Sequence, residues 1–247
     1  MKVAVLGASK GMGRSVAREL ASQGHTLCLL GRNVEELERS ARDIEIRSGL
    51  SEGSVQVVEC DLEQADSFTR VFDQLQVLLN PIEAVVVTAG LFGTQEELEN
   101  DTKRLERLLT VNFTHTILFC EEARKRLLAQ GGGSLCVFSS VAGDRGRKPV
   151  ILYGASKAGL SHYLEGLDHK YRSQGLVTLN VKPGFVKTGM TYGLKPPPFA
   201  GEPDQVAKQV VKALTAKSPL LYTPSMWRWV MFIIRNLPRF VMRRLSF

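Results

Sequence analysis

The feature of this chain that most constrains its fold is a regular alternation of short apolar runs with longer amphipathic segments. The short runs are rich in β-branched residues, which is typical of buried strands. Between them, apolar residues return every three or four positions, as in Val16, Leu20 and Ala21, which predicts helices. This order predicts an α/β fold with a parallel sheet covered by helices on both faces. The predicted strands are KVAVL (2–6), TLCLL (26–30), VQVVEC (55–60), AVVVT (84–88), SLCVFS (134–139), VTLNV (177–181) and PLLYT (219–223).

Composition supports one folded domain followed by a distinct tail. The 247 residues are 44% apolar and 23% charged, as in globular proteins. We therefore predict a single domain over residues 1–225 and a basic amphipathic tail over residues 226–247. The four cysteines are far apart and lie partly in apolar runs, so we expect reduced thiols and a cytoplasmic protein. The N-terminal segment does not have the pattern of a signal peptide.

The positive charge of the chain is concentrated in the tail. Five arginines and no acid occur in the last 22 residues, out of a net charge of +7 for the whole chain. A nucleic-acid surface across the domain is therefore not expected. Two interpretations of the tail stay open: an amphipathic helix lying on an anionic membrane, or an apolar flap packed on the domain or on a partner. In the first, Arg228, Arg235, Arg239 and Arg243 form a stripe, and apolar residues lie opposite, namely Trp229, Phe232, Ile233, Phe240 and Val241.

A glycine-rich turn, GASKGMG, follows the first strand and leads into a helix that begins near Met12. Such a turn brings backbone close to a pyrophosphate, which then lies at the positive end of the helix. Because the turn follows an N-terminal strand, we predict a doubly wound, seven-stranded Rossmann-type sheet that binds a dinucleotide. Asp61 and Ala89-Gly90, after the third and fourth strands, fall at the same edge of the sheet. Asp61 is expected to accept from the adenine amine.

Arg32 follows the second strand, where an acid commonly holds the ribose of NAD. Its guanidinium suits a 2′-phosphate instead, and Lys10 in the glycine turn adds a second cation. The residues therefore favour NADP(H), with NAD(H) as the alternative if both cations are merely solvated.

Tyr153 and Lys157 are one helical turn apart, and Ser140 follows the fifth strand. The ammonium of Lys157 is expected to stabilise the phenolate form of Tyr153, whose ordinary pKa is about 10. For a carbonyl substrate, Tyr153 donates the proton and Ser140 a second hydrogen bond, while a nicotinamide delivers hydride. Asn112 is expected to hold Lys157 through a water. No metal site is predicted.

Taken together, GASKGMG, Asn112, Ser140, YGASK and PGFVKT resemble the short-chain dehydrogenase/reductase family over residues 1 to about 215. Two departures, Leu6 before the first glycine and Thr88-Ala89-Gly90, concern support of the backbone. The resemblance implies a catalytic tetrad of Asn112, Ser140, Tyr153 and Lys157, and a homo-oligomer formed through helices of residues 103–172. It also implies contacts of the residues after the sixth strand with the nicotinamide. The full predicted cofactor set is Gly7, Ser9, Lys10, Gly11, Met12, Gly13, Arg32, Asp61, Leu62, Ala89, Gly90, Tyr153, Lys157, Pro183, Gly184, Val186 and Thr188.

The segments AGLFGTQEELEND and AGDRGRKPVILYGASKAGL, and the tail, resemble one branch of that family. Its members reduce a keto sugar carried on a polyprenyl phosphate. This implies a lipid-linked substrate, a partner oxidase and a position at the inner face of a membrane, with Arg145, Arg147 and Lys148 near the substrate phosphate. Alternatives are a soluble carbonyl or steroid-type reductase whose tail caps the site, and a sensor that binds NADP(H) without turnover. The Pro-rich stretch 193–203 is expected to be a loop, either mobile over the ligand or fixed on the surface.

Overall fold

A computed structural model describes residues 1–197 and 199–245 of the chain. Within these ranges, seven parallel strands form one sheet in the order β3-β2-β1-β4-β5-β6-β7. This confirms the predicted doubly wound α/β fold, and every strand lies at its predicted position to within two residues. The strands are β1 (Lys2–Leu6), β2 (Thr26–Gly31), β3 (Gln56–Glu59), β4 (Ala84–Val87), β5 (Gly133–Phe138), β6 (Leu176–Pro183) and β7 (Leu220–Thr223).

The helices pack on both faces of this sheet, because each strand alternates its side chains between the two faces. Val3 and Val5 of β1 point into one apolar core with Val16, whereas Ala4 and Leu6 point into the other with Phe72. The helices are α1 (Gly11–Ser22), α2 (Val34–Ser48), α3 (Phe68–Leu78), α4 (Gln95–Asn100), α5 (Thr102–Leu109), α6 (Thr116–Ala129), α7 (Ile151–Tyr171), α8 (Pro203–Thr215), α9 (Met226–Asn236) and α10 (Arg239–Arg244).

All four cysteines are free and buried in these cores. Burial raises the pKa of Cys28 and of Cys60 to about 12, and it also raises the pKa of the other two thiols. The expectation that they pack as reduced, small apolar side chains is therefore met.

The tail begins with α9, and one face of this helix is packed on the domain. Trp227, Met231 and Ile234 are buried against Val141 in a third, smaller apolar cluster. The Arg145 guanidinium donates to the carbonyl oxygen of Leu237 at 3.0 Å, which fastens the end of α9 to the loop after β5. The other face of α9 stays exposed, so each of the two interpretations of the tail describes one side of the helix. Within the described residues, no helix is long and apolar enough to cross a membrane, and the last two predicted tail residues, 246–247, lie outside them.

Candidate active site

The glycine turn after β1 is built around very close backbone contacts. Gly7 has a φ of +93°, and a Cβ there would lie 2.6 Å from the amide nitrogen of Ala89. At Gly13, a Cβ would lie 2.2 Å from the carbonyl oxygen of Gly7. Thr88 holds this crossing together, because its hydroxyl donates to the carbonyl oxygen of Leu6 at 2.9 Å. The two departures noted in the sequence, at Leu6 and Thr88, are thus partners in one hydrogen bond that supports the turn.

The N-terminus of α1 faces a cavity of about 340 Å³ beside this turn. Lys10 occupies the N-cap position, and none of the described side chains caps the first amide groups of the helix. These free donors and the positive end of the helix fit the pyrophosphate of a dinucleotide. The predicted cofactor residues that line this cavity are Gly7, Ser9, Lys10, Gly11, Met12, Gly13, Arg32, Asp61, Leu62, Ala89, Gly90 and Thr188.

Arg32 and Lys10 lie at the mouth of the same cavity and are only loosely held. Arg32 is 60% exposed and lies 3.8 Å from Glu63, a carboxylate that Arg107 already binds at 2.6 Å. Lys10 is 75% exposed and lies 3.8 Å from Glu36. Exposed pairs of this kind contribute about 0–1 kcal/mol, so both cations are available to a ligand phosphate.

A second cavity, of about 280 Å³, adjoins the first and contains the predicted catalytic side chains. Ser140, Tyr153 and Lys157 all line it, and the Tyr153 ring packs edge-on against Phe92 at 5.2 Å between centroids. Met12, Gly90 and Thr188 line both cavities, as expected where a nicotinamide would enter. The remaining predicted cofactor residues line the second cavity. Those remaining residues are Pro183, Gly184 and Val186.

Burial controls the electrostatics of the Tyr153 and Lys157 pair. Burial raises the pKa of Tyr153 to about 12, and a hydrogen bond with Ser140 offsets this only in part. Burial also lowers the pKa of Lys157 to about 8. Its ammonium donates to the carbonyl oxygen of Phe138 at 3.1 Å and lies 6.0 Å from the Tyr153 ring centroid. The expected lowering of the Tyr153 pKa is therefore wrong for this arrangement: desolvation dominates, and the phenol is protonated at neutral pH, ready to donate.

Asn112 lies in a short π-helical turn, residues Thr110–His115, and it is fully buried. Its side-chain oxygen accepts from the Leu91 amide at 2.7 Å, and its nitrogen donates to the Leu91 carbonyl at 2.8 Å. Asn112 thus fixes the backbone after β4. It also lies close to Lys157, since a Cβ placed on Gly90 would be 3.1 Å from Asn112 Oδ1 and 3.4 Å from Lys157 Nζ. Its predicted role in holding Lys157 through a water stays a prediction.

The outer wall of the second cavity comes from segments that the motifs did not indicate. The loop after β6 is closed by a bridge between Val186 and Gly201, and it contributes Met190, Leu194 and Pro197 to the wall. This places part of the predicted 193–203 loop over the site; Pro198 in that stretch lies outside the described residues. Trp227 of α9 also lines the cavity. Apolar residues recur at helical spacing at positions 227, 231 and 234 of the sequence, and this pattern could have identified the buried face of α9.

The three basic residues after Ser140 have separate positions. Arg145 binds the Leu237 carbonyl, Lys148 is exposed, and only Arg147 lines the cavity. The expectation that all three lie near the substrate is therefore wrong for Arg145 and Lys148. Arg147 Nε is buried and has no hydrogen-bond partner among the described residues. The nearby Asp144 carboxylate is already bound by Lys182 at 2.5 Å and by the Tyr222 hydroxyl at 2.7 Å.

A glycine-lined dinucleotide cleft that joins a cavity with Ser, Tyr and Lys side chains defines a nicotinamide-dependent oxidoreductase. The family model for short chain dehydrogenases matches residues 1–197. The chain belongs to this family, and it is therefore an enzyme that acts on CH–OH groups with NAD(P).

Two proteins with similar sequences agree with this assignment, and one solved structure has a similar fold. An uncharacterized oxidoreductase of Mycobacterium tuberculosis is 30% identical over 243 residues, 98% of this chain and 96% of that protein. Carbonyl reductase family member 4 of Xenopus laevis is 30% identical over 216 residues, 84% of this chain and 88% of that protein. Actinorhodin polyketide ketoreductase, in a crystal structure with NADPH, has a TM-score of 0.80 at 20% identity, covering 90% of this chain and 95% of that one.

Proposed function

We propose that this enzyme uses NADPH to reduce a ketone carried on a lipid phosphate to a secondary alcohol. The observation that carries the reduction is the presence of Ser140, Tyr153 and Lys157 in one cavity beside the glycine-lined cleft. Pro183, Gly184, Val186 and Thr188 would hold the nicotinamide, which would supply the hydride for the carbonyl carbon. Tyr153, protonated at neutral pH because its pKa is about 12, donates its proton to the carbonyl oxygen. Ser140 Oγ accepts from the Ala142 amide at 3.1 Å, and its hydroxyl, which bonds Tyr153, turns to donate to the same carbonyl oxygen when the ketone binds.

The coenzyme preference rests on Lys10 and Arg32. Both are weakly paired cations at the mouth of the adenine-side cavity, and both suit a 2′-phosphate better than a ribose hydroxyl. NADP(H) is therefore the proposed coenzyme, and NAD(H) is the alternative.

The lipid phosphate is supported by Arg147. This guanidinium is the one cation besides Lys157 among the described residues of a wall that is otherwise mainly apolar and aromatic, including Phe92, Phe185 and Trp227. Such a pocket suits a ligand with an apolar body and one anionic group. Three segments of the sequence also resemble the reductase component of decaprenylphosphoryl-β-D-ribose 2-epimerase. This resemblance supports a 2-keto pentofuranose on a polyprenyl phosphate as substrate and a partner oxidase that produces it; Arg32 is a departure, since that reductase is associated with NADH.

A rate comparison tests the proposed substrate. NADPH oxidation is measured with a polyprenyl-phosphoryl keto sugar, with the same keto sugar lacking the lipid phosphate, and with simple cyclic ketones. We expect the lipid phosphate to be preferred and Arg147→Met to raise KM for it by about tenfold to a hundredfold, the effect of losing a charged hydrogen bond of about 1.5–3 kcal/mol. Arg147→Lys, the matched control, keeps the charge and part of the affinity.

The second candidate is a reductase of small neutral ketones, with α9 as a fixed wall of the site. The position of Trp227 in the cavity and the similarity to carbonyl reductase family member 4 favour it. Equal rates with neutral and phosphorylated ketones, together with an Arg147→Met variant that is indistinguishable from the parent, would identify this function in place of the first.

A further inference from the structure

The side of α9 that faces away from the domain carries an unusual amount of exposed apolar surface. Met226, Trp229, Phe232 and Ile233, and Phe240 of α10, are each between 53% and 65% exposed. Their spacing of three and four residues within α9 places them on one side of the helix. Contiguous exposed apolar surface of this kind marks an interaction site on a folded protein.

Arginines flank this apolar surface. Arg228, Arg235, Arg239, Arg243 and Arg244 are all exposed, and no acidic residue occurs in residues 226–247. A partner surface must therefore accept both aromatic side chains and a concentrated positive charge. An anionic bilayer surface offers these two properties together.

A second copy of the chain fits this surface less well. In a two-fold symmetric contact the same patch meets itself, so the arginines of one tail would face those of the other. No carboxylate in the tail is available to compensate them. The expected homo-oligomer therefore needs another surface.

The buried side of the same helix forms part of the catalytic cavity. Trp227 lines that cavity, and Arg145 holds the Leu237 carbonyl at the end of α9. The apolar surface and the cavity wall are thus two sides of one rigidly held helix. Docking through α9 places the cavity beside the surface on which the protein lies.

We propose that α9 and α10 form an interfacial docking surface that binds an anionic lipid bilayer, with the exposed apolar side chains inserted and the arginines at the headgroups. The surface lies on the bilayer and does not cross it. Trp229 and Phe232 are the principal anchors, because aromatic side chains favour the interface.

Vesicle co-sedimentation of the full chain tests this proposal without using enzymatic activity. We expect binding to vesicles of phosphatidylglycerol and phosphatidylcholine in equal parts, weak binding to phosphatidylcholine alone, and a loss of binding as salt is raised. Trp229→Ser with Phe232→Ser lowers the partition coefficient by about tenfold per side chain. Arg228→Gln, Arg239→Gln and Arg243→Gln together lower it by about fivefold per arginine on the anionic vesicles. Arg235 is left unchanged because its guanidinium lies close enough to Tyr222 to lower the pKa of that phenol.

The control variant removes one exposed apolar side chain and one exposed arginine from another helix. Ile46, which is 81% exposed, and exposed Arg42 lie on α2, and Ile46→Ser with Arg42→Gln leaves vesicle binding unchanged. Equal binding to neutral and anionic vesicles, or tail variants that bind as the parent does, would overturn the proposal. Light scattering tests whether a second copy of the chain covers this surface instead. A molecular mass that halves in the Trp229 and Phe232 variant would show that the surface joins two copies. Absence of vesicle binding would leave the reductase assignment intact, and absence of ketone reduction would leave the docking surface intact.

Discussion

Substituting Gly184 with alanine is the sharpest test of how α9 is joined to the active site. Gly184 follows β6, and its amide donates to the Thr223 carbonyl at 2.9 Å. Its φ lies outside the left-handed region, so an alanine fits the backbone and only space matters. An added Cβ would lie 1.9 Å from Trp227 Nε1, 2.1 Å from Cε2 and 2.2 Å from Cδ1. Since carbon contacts optimally at about 3.5–4.0 Å, the indole must move by at least about 1.5 Å.

Overpacking of this kind costs about 1–3 kcal/mol of the free energy of unfolding. For a domain of this size, Tm then falls by about 2–12 °C. Far-UV circular dichroism in a guanidinium titration measures this loss without relying on the fluorescence of Trp227. Because the indole also forms part of the wall of the catalytic cavity, KM for the ketone rises.

A double-mutant cycle identifies the cause of the instability. Trp227→Ala alone costs about 3–5 kcal/mol because it leaves a cavity. In that background the clash is gone, so Gly184→Ala becomes neutral, or stabilising by about 0.4–1 kcal/mol through the unfolded chain. A cost of Gly184→Ala that is the same in both backgrounds, or absent in the parent, would refute the proposed packing of α9 against Gly184.

Three further outcomes follow from the site. Tyr153→Phe lowers kcat by about a hundredfold to ten-thousandfold while NADPH still binds, as nucleotide fluorescence would show; near-normal turnover would remove Tyr153 as the proton donor. Arg32→Asp shifts the ratio of kcat/KM values toward NADH, whereas Arg42→Asp, a charge-matched change on the surface of α2, leaves the ratio unaltered. Ketone reduction is constant below about pH 8 and falls above it, because Lys157, with a pKa of about 8, then loses the positive charge that stabilises the Tyr153 phenolate left after proton donation; a pH–rate profile that is flat through pH 9 would contradict this dependence on Lys157.

The sequence predicted the parts of the molecule that are determined by local spacing. The strands follow from β-branched runs, and the glycine turn and the Tyr153–Lys157 pair follow from fixed separations within a few residues. The hydrogen bond from Thr88 to the Leu6 carbonyl could not be predicted in this way, because it joins two strands 82 residues apart in the chain. The pKa of Tyr153 was missed for a related reason: desolvation is a property of the assembled cavity, and no spacing in the sequence reports it.

The charges of the catalytic cavity connect its pH dependence to its substrate. Arg147 and Lys157 line the cavity, and no carboxylate does so among its described residues. Burial lowers the pKa of both side chains because it desolvates their positive charges, and the nearby Asp144 carboxylate offsets this only in part at Arg147. If the proposed substrate phosphate binds at Arg147, it adds a negative charge to the cavity and raises the pKa of Lys157. With a phosphorylated ketone the alkaline fall in kcat should move above pH 8, and with a neutral ketone it should stay there. In Arg147→Met the phosphate is no longer held in place, so the alkaline fall in kcat should occur at the same pH with both ketones. If the fall already occurs at the same pH with both ketones in the parent enzyme, no anion binds beside Lys157.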